Sequence, residues 1–273
     1  MSEKVLDITK DERMLLSRLK NRPGAFLGRI ELTRFLNWVN GYEIALGMTK
    51  LYSERVLLPD LNDYAAMKYL GHTRTALNCF HLILEKEPNE TKALDIFWEL
   101  LDEYLVSLGY EPIPDWVNIW NSIKEEWGNF QKQEYIKRIN TCEKNRNITS
   151  DERMLLSSLK RRPGMYLGRT TLTNFITWLF GYEEALKMTG LYSEREILPD
   201  GFQDYTAMKY LGYTKTAMGW SSLILEKEPD EKKAFDVFWK LLDEYLISFG
   251  YEPIPLYEDT KDEWEKWRTR KKT

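Results

Sequence analysis

At 273 residues the chain is long enough for two domains of ordinary size, each able to bury its own core, and 39 basic against 43 acidic side chains argue against the strongly basic footprint of a nucleic-acid-binding domain. Two cysteines, Cys79 and Cys142, with neither metal-ligand nor redox spacing, argue against a disulfide scaffold and point to free thiols in a reducing compartment. No run of about 18 apolar residues could span a bilayer, and the opening Met-Ser-Glu-Lys-Val-Leu-Asp lacks a secretory pattern, so a cytoplasmic protein without a membrane partner is expected.

The first predicted helix, Asp11 to Lys20, sets Met14, Leu15 and Leu19 on one face, with acidic residues at the end that the helix dipole favours. Arg22-Pro23-Gly24 is expected to break it with a tight turn, followed by a short apolar piece, Ala25-Phe-Leu-Gly. A longer helix, Leu32 to Met48, aligns Leu32, Phe35, Leu36, Val39, Tyr42, Ala45 and Leu46 in one core-facing stripe. Gly41 lies inside that helix at a cost of roughly 1 kcal/mol against alanine, which is expected to admit close approach of another helix.

Beyond a loop through Pro59, a helix near Asp63 to Leu70 is stopped by Gly71. Thr73 is the expected N-cap of a helix running to about Glu85, which Glu87-Pro88 ends. Asn89 is the expected cap of the last and longest helix, Glu90 to about Ser107. Its periodicity buries Ala93, Leu94, Phe97, Leu100, Leu101, Tyr104 and Leu105 and leaves Asp95, Glu99, Asp102 and Glu103 toward the other side.

From Asp115 to Ser150 the chain carries Trp116, Ile119, Trp120, Ile123 and Trp127 at helical spacing and then a polar stretch, which reads as a linker helix. The whole order of segments then returns. Asp11-Glu-Arg-Met-Leu-Leu-Ser reappears at Asp151, Leu51-Tyr-Ser-Glu-Arg at Leu191, Ala66-Met-Lys-Tyr-Leu-Gly at Ala207 and Leu82-Ile-Leu-Glu-Lys-Glu-Pro at Leu223. Both copies close on Gly-Tyr-Glu-Pro-Ile-Pro, the register changes once, near Gly201, and about two-thirds of aligned positions are identical, too many for a minimal solenoid repeat. The second copy ends in a shorter counterpart of the linker, with Trp264 and Trp267, and a basic tail from Lys266 to Lys272 that reads as a solvated terminus. No segment shows sustained period-2 alternation. The expected fold is therefore all-α: two homologous helical domains in tandem, about five helices each (1–115 and 151–273), joined by the Trp-rich linker helix (116–150).

Catalytic chemistry finds little purchase in these residues. His72 and His81 occur only in the first copy, where the second has Tyr213 and Ser222, so a duplicated site built on them would be broken in one copy. Cys79 is likewise replaced by Trp220, which suits space filling better than nucleophilic attack. Asp102-Glu103 and Asp243-Glu244 are paired acids, but neighbours on a helix point in different directions, and a solvated face is the simpler reading. Neither an EF-hand nor a His-Glu-x-x-His pattern is present, so no metal is expected. The stretch Arg162-Pro-Gly-Met-Tyr-Leu-Gly looks like part of the gyrase-type ATPases, yet it is under ten residues long and lacks that family's glycine-rich lid, and no phosphate-binding loop exists elsewhere; no cofactor is expected.

Taken over a whole copy, Arg162-Pro-Gly-Met-Tyr-Leu-Gly, Leu172-x-x-Phe-x-x-Trp-x-x-Gly-Tyr, Asp204-Tyr205 and Lys233-Ala-Phe-Asp-Val-Phe-Trp-Lys-Leu-Leu-Asp-Glu resemble small helical bacterial proteins of polymorphic or contact-dependent toxin systems, regarded as immunity proteins. The first copy departs from the pattern with Ala25-Phe26 in place of Met165-Tyr166. The resemblance implies a non-enzymatic inhibitor that binds a cognate toxin, with affinity concentrated in a few aromatic or charged anchors. Aromatic residues at 14% of the chain fit such a surface. The expected contact is an acidic, aromatic face formed by Tyr52, Glu54, Asp60, Asp63, Tyr64, Asp102 and Glu103, and in the second copy by Tyr192, Glu194, Asp200, Asp204, Tyr205, Asp243 and Glu244, suited to a basic nuclease toxin. The alternative is a phage or mobile-element regulator that binds a host protein, or nucleic acid through the basic tail.

Overall fold

The computed structural model describes residues 10–48, 60–114, 148–191 and 197–256; the Trp-rich segment, Cys142, Trp264, Trp267 and the basic tail lie outside them. The described residues form twelve α-helices and no strand. In chain order these are α1 (Lys10–Asn21), α2 (Pro23–Leu27), α3 (Leu32–Met48), α4 (Leu61–Leu70), α5 (Cys79–Lys86), α6 (Glu90–Ser107), α7 (Ser150–Arg161), α8 (Pro163–Leu167), α9 (Leu172–Met188), α10 (Phe202–Leu211), α11 (Trp220–Lys227) and α12 (Glu231–Ser248). No described helix is long and apolar enough to cross a membrane. Two compact units emerge: Met1–Phe130 together with Thr177–Met188, and Gln131–Ile176 together with Thr189–Thr273.

In the first unit, the apolar stripe of α6 forms the floor of the core. Phe97 is fully buried and lies 4.9 Å from Phe35 of α3 and 5.0 Å from Phe80 of α5, ring centre to ring centre. Offset and tilted rings at such distances add about 0.5–1.5 kcal/mol per pair beyond area burial. The α6 positions expected inside are all buried, and Trp98 joins them. Helix α4 packs against α5 and α6 and is stopped, as expected, at Gly71, which has φ +75°. Asn89 caps α6 by accepting from the Lys92 amide. Glu90, in the first turn of α6, accepts from the Thr33 amide at 2.9 Å and its hydroxyl at 2.6 Å, so one carboxylate ties the start of α3 to the start of α6.

The structure corrects several expectations. Arg22, not a turn, ends α1; Pro23 then opens the five-residue α2, because a fixed φ and a missing amide hydrogen suit the first helical position. This short helix makes six helices per copy among the described residues where about five were expected. Thr73 does not cap α5. The helix begins six residues later at Cys79, with Asn78 accepting from the His81 amide at 3.0 Å and Asn62 of α4 accepting from the Cys79 amide at 2.8 Å. Leu36 is only half-buried, whereas Trp38 is fully buried. Glu12 belongs to the interior: it is 6% exposed and accepts from the Tyr42 hydroxyl at 2.6 Å.

Gly41 behaves as its position suggests. The Thr177–Met188 part of α9 crosses α3 so closely that a Cβ on Gly41 would lie 1.9 Å from the Trp178 carbonyl oxygen. Trp38, on the same helix, is fully buried, and its ring stacks on Tyr42 at 5.3 Å.

The second unit keeps the same pair of phenylalanine rings and changes the third member of the cluster. Phe238 of α12 is fully buried and lies 4.7 Å from Phe175 and 5.2 Å from Trp220, the residue standing where the first copy has Cys79. Asp230 caps α12 by accepting from the Lys232 and Lys233 amides. The inserted Gly201 precedes α10, where a Cβ would lie 2.7 Å from the Tyr245 hydroxyl, so only glycine fits without a shift.

Candidate protein-binding face

Among the residues expected at a contact, Tyr52, Glu54, Tyr192 and Glu194 lie outside the described residues. The others fall on α4 and α6 in the first unit and on α10 and α12 in the second. Helices α4 and α6 are clasped by the Tyr64 and Tyr104 rings, 5.3 Å apart, and by an ion pair between Lys68 and Glu103. The corresponding contacts in the second unit are Tyr205 with Tyr245 at 5.5 Å and Lys209 with Glu244.

Each helix then presents one outward stripe. On α6, Asp95, Glu99 and Glu103 recur every fourth residue and are all exposed. On α4, exposed Asp63, Met67 and Leu70 share a face, with Met67 53% and Leu70 38% exposed. Asp60 is exposed at the start of α4, and Asp63 stands in its first turn, where the helix dipole favours a carboxylate.

The phenols register this charge. Burial is the main cause that raises the Tyr104 pKa, and Asp60 adds to it. Burial also raises Tyr69, with Glu103 and Glu99 adding and Lys68 opposing. Tyr69, Glu99 and Met67 were not among the expected contact residues; the four-residue spacing of Asp95, Glu99 and Glu103 was the available signal for Glu99.

Asp102 and Asp243 do different work from the residues beside them. Asp102 pairs with Lys20 of α1 at 2.5 Å and accepts from the Ile113 amide at 2.8 Å. Asp243 pairs with Lys160 of α7 at 2.7 Å and accepts from the Ile254 amide at 2.9 Å. Each is half-buried and locks the Glu-Pro-Ile-Pro segment to its own unit. Arg13 donates to the Glu111 and Pro112 carbonyls, and Arg153 to those of Glu252 and Pro253, adding a second clamp in each case.

The two units differ in charge where the scaffold is the same. Exposed Glu99 is replaced by exposed Lys240, Asp200 is half-buried where Asp60 is exposed, and Asp204 remains exposed. The first unit therefore offers the more acidic face. The Lys68–Glu103 pair, 39% and 50% exposed, contributes at most about 1 kcal/mol and can be exchanged for a partner's cation at little cost.

Other reactive groups lie elsewhere. Cys79 is buried, and desolvation pushes its thiol up to about 12, so it is not a thiolate at neutral pH. His72 and His81 are exposed, with His81 Nδ1 2.6 Å from the Asn78 side-chain oxygen. Among the described residues, no group of three or more His, Cys, Asp or Glu is placed to hold a metal ion. No family model matches the chain, and neither a curated protein nor a solved structure matches it.

Proposed function

We propose that the chain is a tandem duplication of one helical domain that acts in the cytoplasm as a non-enzymatic inhibitor, an immunity protein that binds and blocks a cognate bacterial toxin. The observation that carries this reading is the pairing of two exposed stripes, Asp95, Glu99 and Glu103 on α6 with Asp63, Met67 and Leu70 on α4. Carboxylates steer a basic partner into register, and the half-buried tyrosines and exposed apolar side chains supply contact area that charge alone does not. A basic nuclease domain has the complementary surface. The motif resemblance supports the same class of partner, and the charge difference at Glu99 and Lys240 favours the first copy as the one that binds.

The test is capture by the tagged full-length chain from its native cell lysate, with mass spectrometry of the bound material, repeated with Asp63→Lys, Glu99→Lys and Glu103→Lys combined. A retained toxin domain, lost by at least about tenfold in the triple variant but kept by Asp204→Lys, is the expected result. Capture that survives the triple variant, or recovery of nucleic acid in place of a toxin, overturns it.

A further inference from the structure

The crossing of α3 with the Thr177–Met188 part of α9 is reciprocal. A Cβ on Gly41 would lie 1.9 Å from the Trp178 carbonyl oxygen, and a Cβ on Gly181 would lie 1.9 Å from the Trp38 carbonyl oxygen. The Tyr42 hydroxyl stands 3.7 Å from Met188 Sδ, and the Tyr182 hydroxyl 3.5 Å from Met48 Sδ. Trp38 stacks on Tyr42 at 5.3 Å and Trp178 on Tyr182 at 5.4 Å. In the sequence alignment Trp38, Gly41, Tyr42 and Met48 correspond to Trp178, Gly181, Tyr182 and Met188.

The glycine–carbonyl approach and the tyrosine–methionine contact are thus each matched by the contact of the equivalent residues in the reverse direction. Two duplicated helices could pack in many ways that lack this property. A reciprocal set is the mark of a two-fold, isologous interface, in which one surface is complementary to itself. The glycines make it specific, because backbone touches backbone at the crossing and any side chain at either position prevents closure.

We infer that the Trp38–Gly41–Tyr42 face is a self-pairing surface whose fitting partner is another copy of the same helix, so that either helix, released from its internal partner, pairs with its counterpart in a second molecule of this chain. This holds whatever the α4 and α6 face binds. In a chain with α3 blocked, Gly181 of one molecule would meet the Trp178 carbonyl of the other, and the reverse.

The test uses the full chain and its mass in solution, with far-ultraviolet circular dichroism to verify helicity. Gly41→Leu and Gly181→Leu each block the internal crossing but leave one glycine face intact, so each is expected to double in mass from 32.5 kDa, while the unaltered chain and the double variant remain at 32.5 kDa. Gly41→Ala, Gly181→Ala and their combination repeat the test with a smaller intrusion should the leucine variants lose helicity. Folded single variants that stay at the mass of the unaltered chain, or single and double variants of equal mass, overturn the inference.

Discussion

Replacing Asp102 with alanine removes two interactions at once, the 2.5 Å pair with Lys20 and the 2.8 Å bond from the Ile113 amide. The two side chains of the pair are 28% and 25% exposed, so solvent screens it, and it contributes no more than about 1 kcal/mol. A hydrogen bond to a charged acceptor contributes about 1.5–3 kcal/mol. The expected loss is therefore about 2–3 kcal/mol, well outside the roughly 0.5 kcal/mol typical of an exposed helix acid. Since about 1 kcal/mol moves Tm by roughly 2–4 °C in chains of this size class, Asp102→Ala should lower it by roughly 5–10 °C. Scanning calorimetry of Asp102→Ala, Asp102→Asn and Glu103→Ala separates the contributions. Asparagine keeps an acceptor for Ile113 and loses only the ion pair, so it should cost about 1 kcal/mol, and Glu103→Ala less than that. Equal losses for the alanine variants at 102 and 103, or no difference between alanine and asparagine at 102, would refute the structural role assigned to this carboxylate.

Two glycines four residues apart should respond in opposite senses. Gly24 has open space around it and no positive φ, so Gly24→Ala is expected to be neutral or to gain up to about 1 kcal/mol; Gly28, at φ +71° in a turn closed by the Arg29 amide and the Leu27 carbonyl, should lose about 1–2 kcal/mol as alanine, both read by urea unfolding. The Asp230 pKa is lowered chiefly by its hydrogen bond from the Lys233 amide, so its charge-dependent stabilisation is complete above the ordinary value of 3.8 and is lost as pH falls through the lower folded value. Asp230→Asn should accordingly lose less stability than the unaltered chain when unfolding is compared at neutral and strongly acidic pH. With its thiol at about 12, Cys79 in a Cys142→Ser background should resist a thiol-reactive dye at neutral pH and label only on unfolding; rapid labelling of the folded chain would contradict its burial.

Local periodicity and capping are written in the sequence because they depend on neighbours within a turn or two. The span of α3 from Leu32 to Met48, the stop at Gly71, the Asn89 cap and the buried face of α6 follow from such signals. So does the need for close approach at Gly41, since a helix interior has few other uses for glycine. Much of the candidate face was legible in the same way, as exposed acids and tyrosines on α4 and α6.

What the sequence leaves open is decided by residues far away along the chain. Thr73 and Asn78 are both plausible caps by type; Asn62, on another helix, selects the second by receiving the Cys79 amide. Glu12 looks like a dipole-facing surface acid until Tyr42 meets it in the interior, and Trp38 falls outside the periodic stripe of α3 yet is fully buried. Asp102 and Glu103 are indistinguishable as adjacent letters, yet the turn of a helix sends one toward Lys20 and the Ile113 amide and the other toward Lys68. A residue's type and spacing determine which helix it joins and which way it points, whereas its chemical role depends on what the tertiary structure brings opposite it.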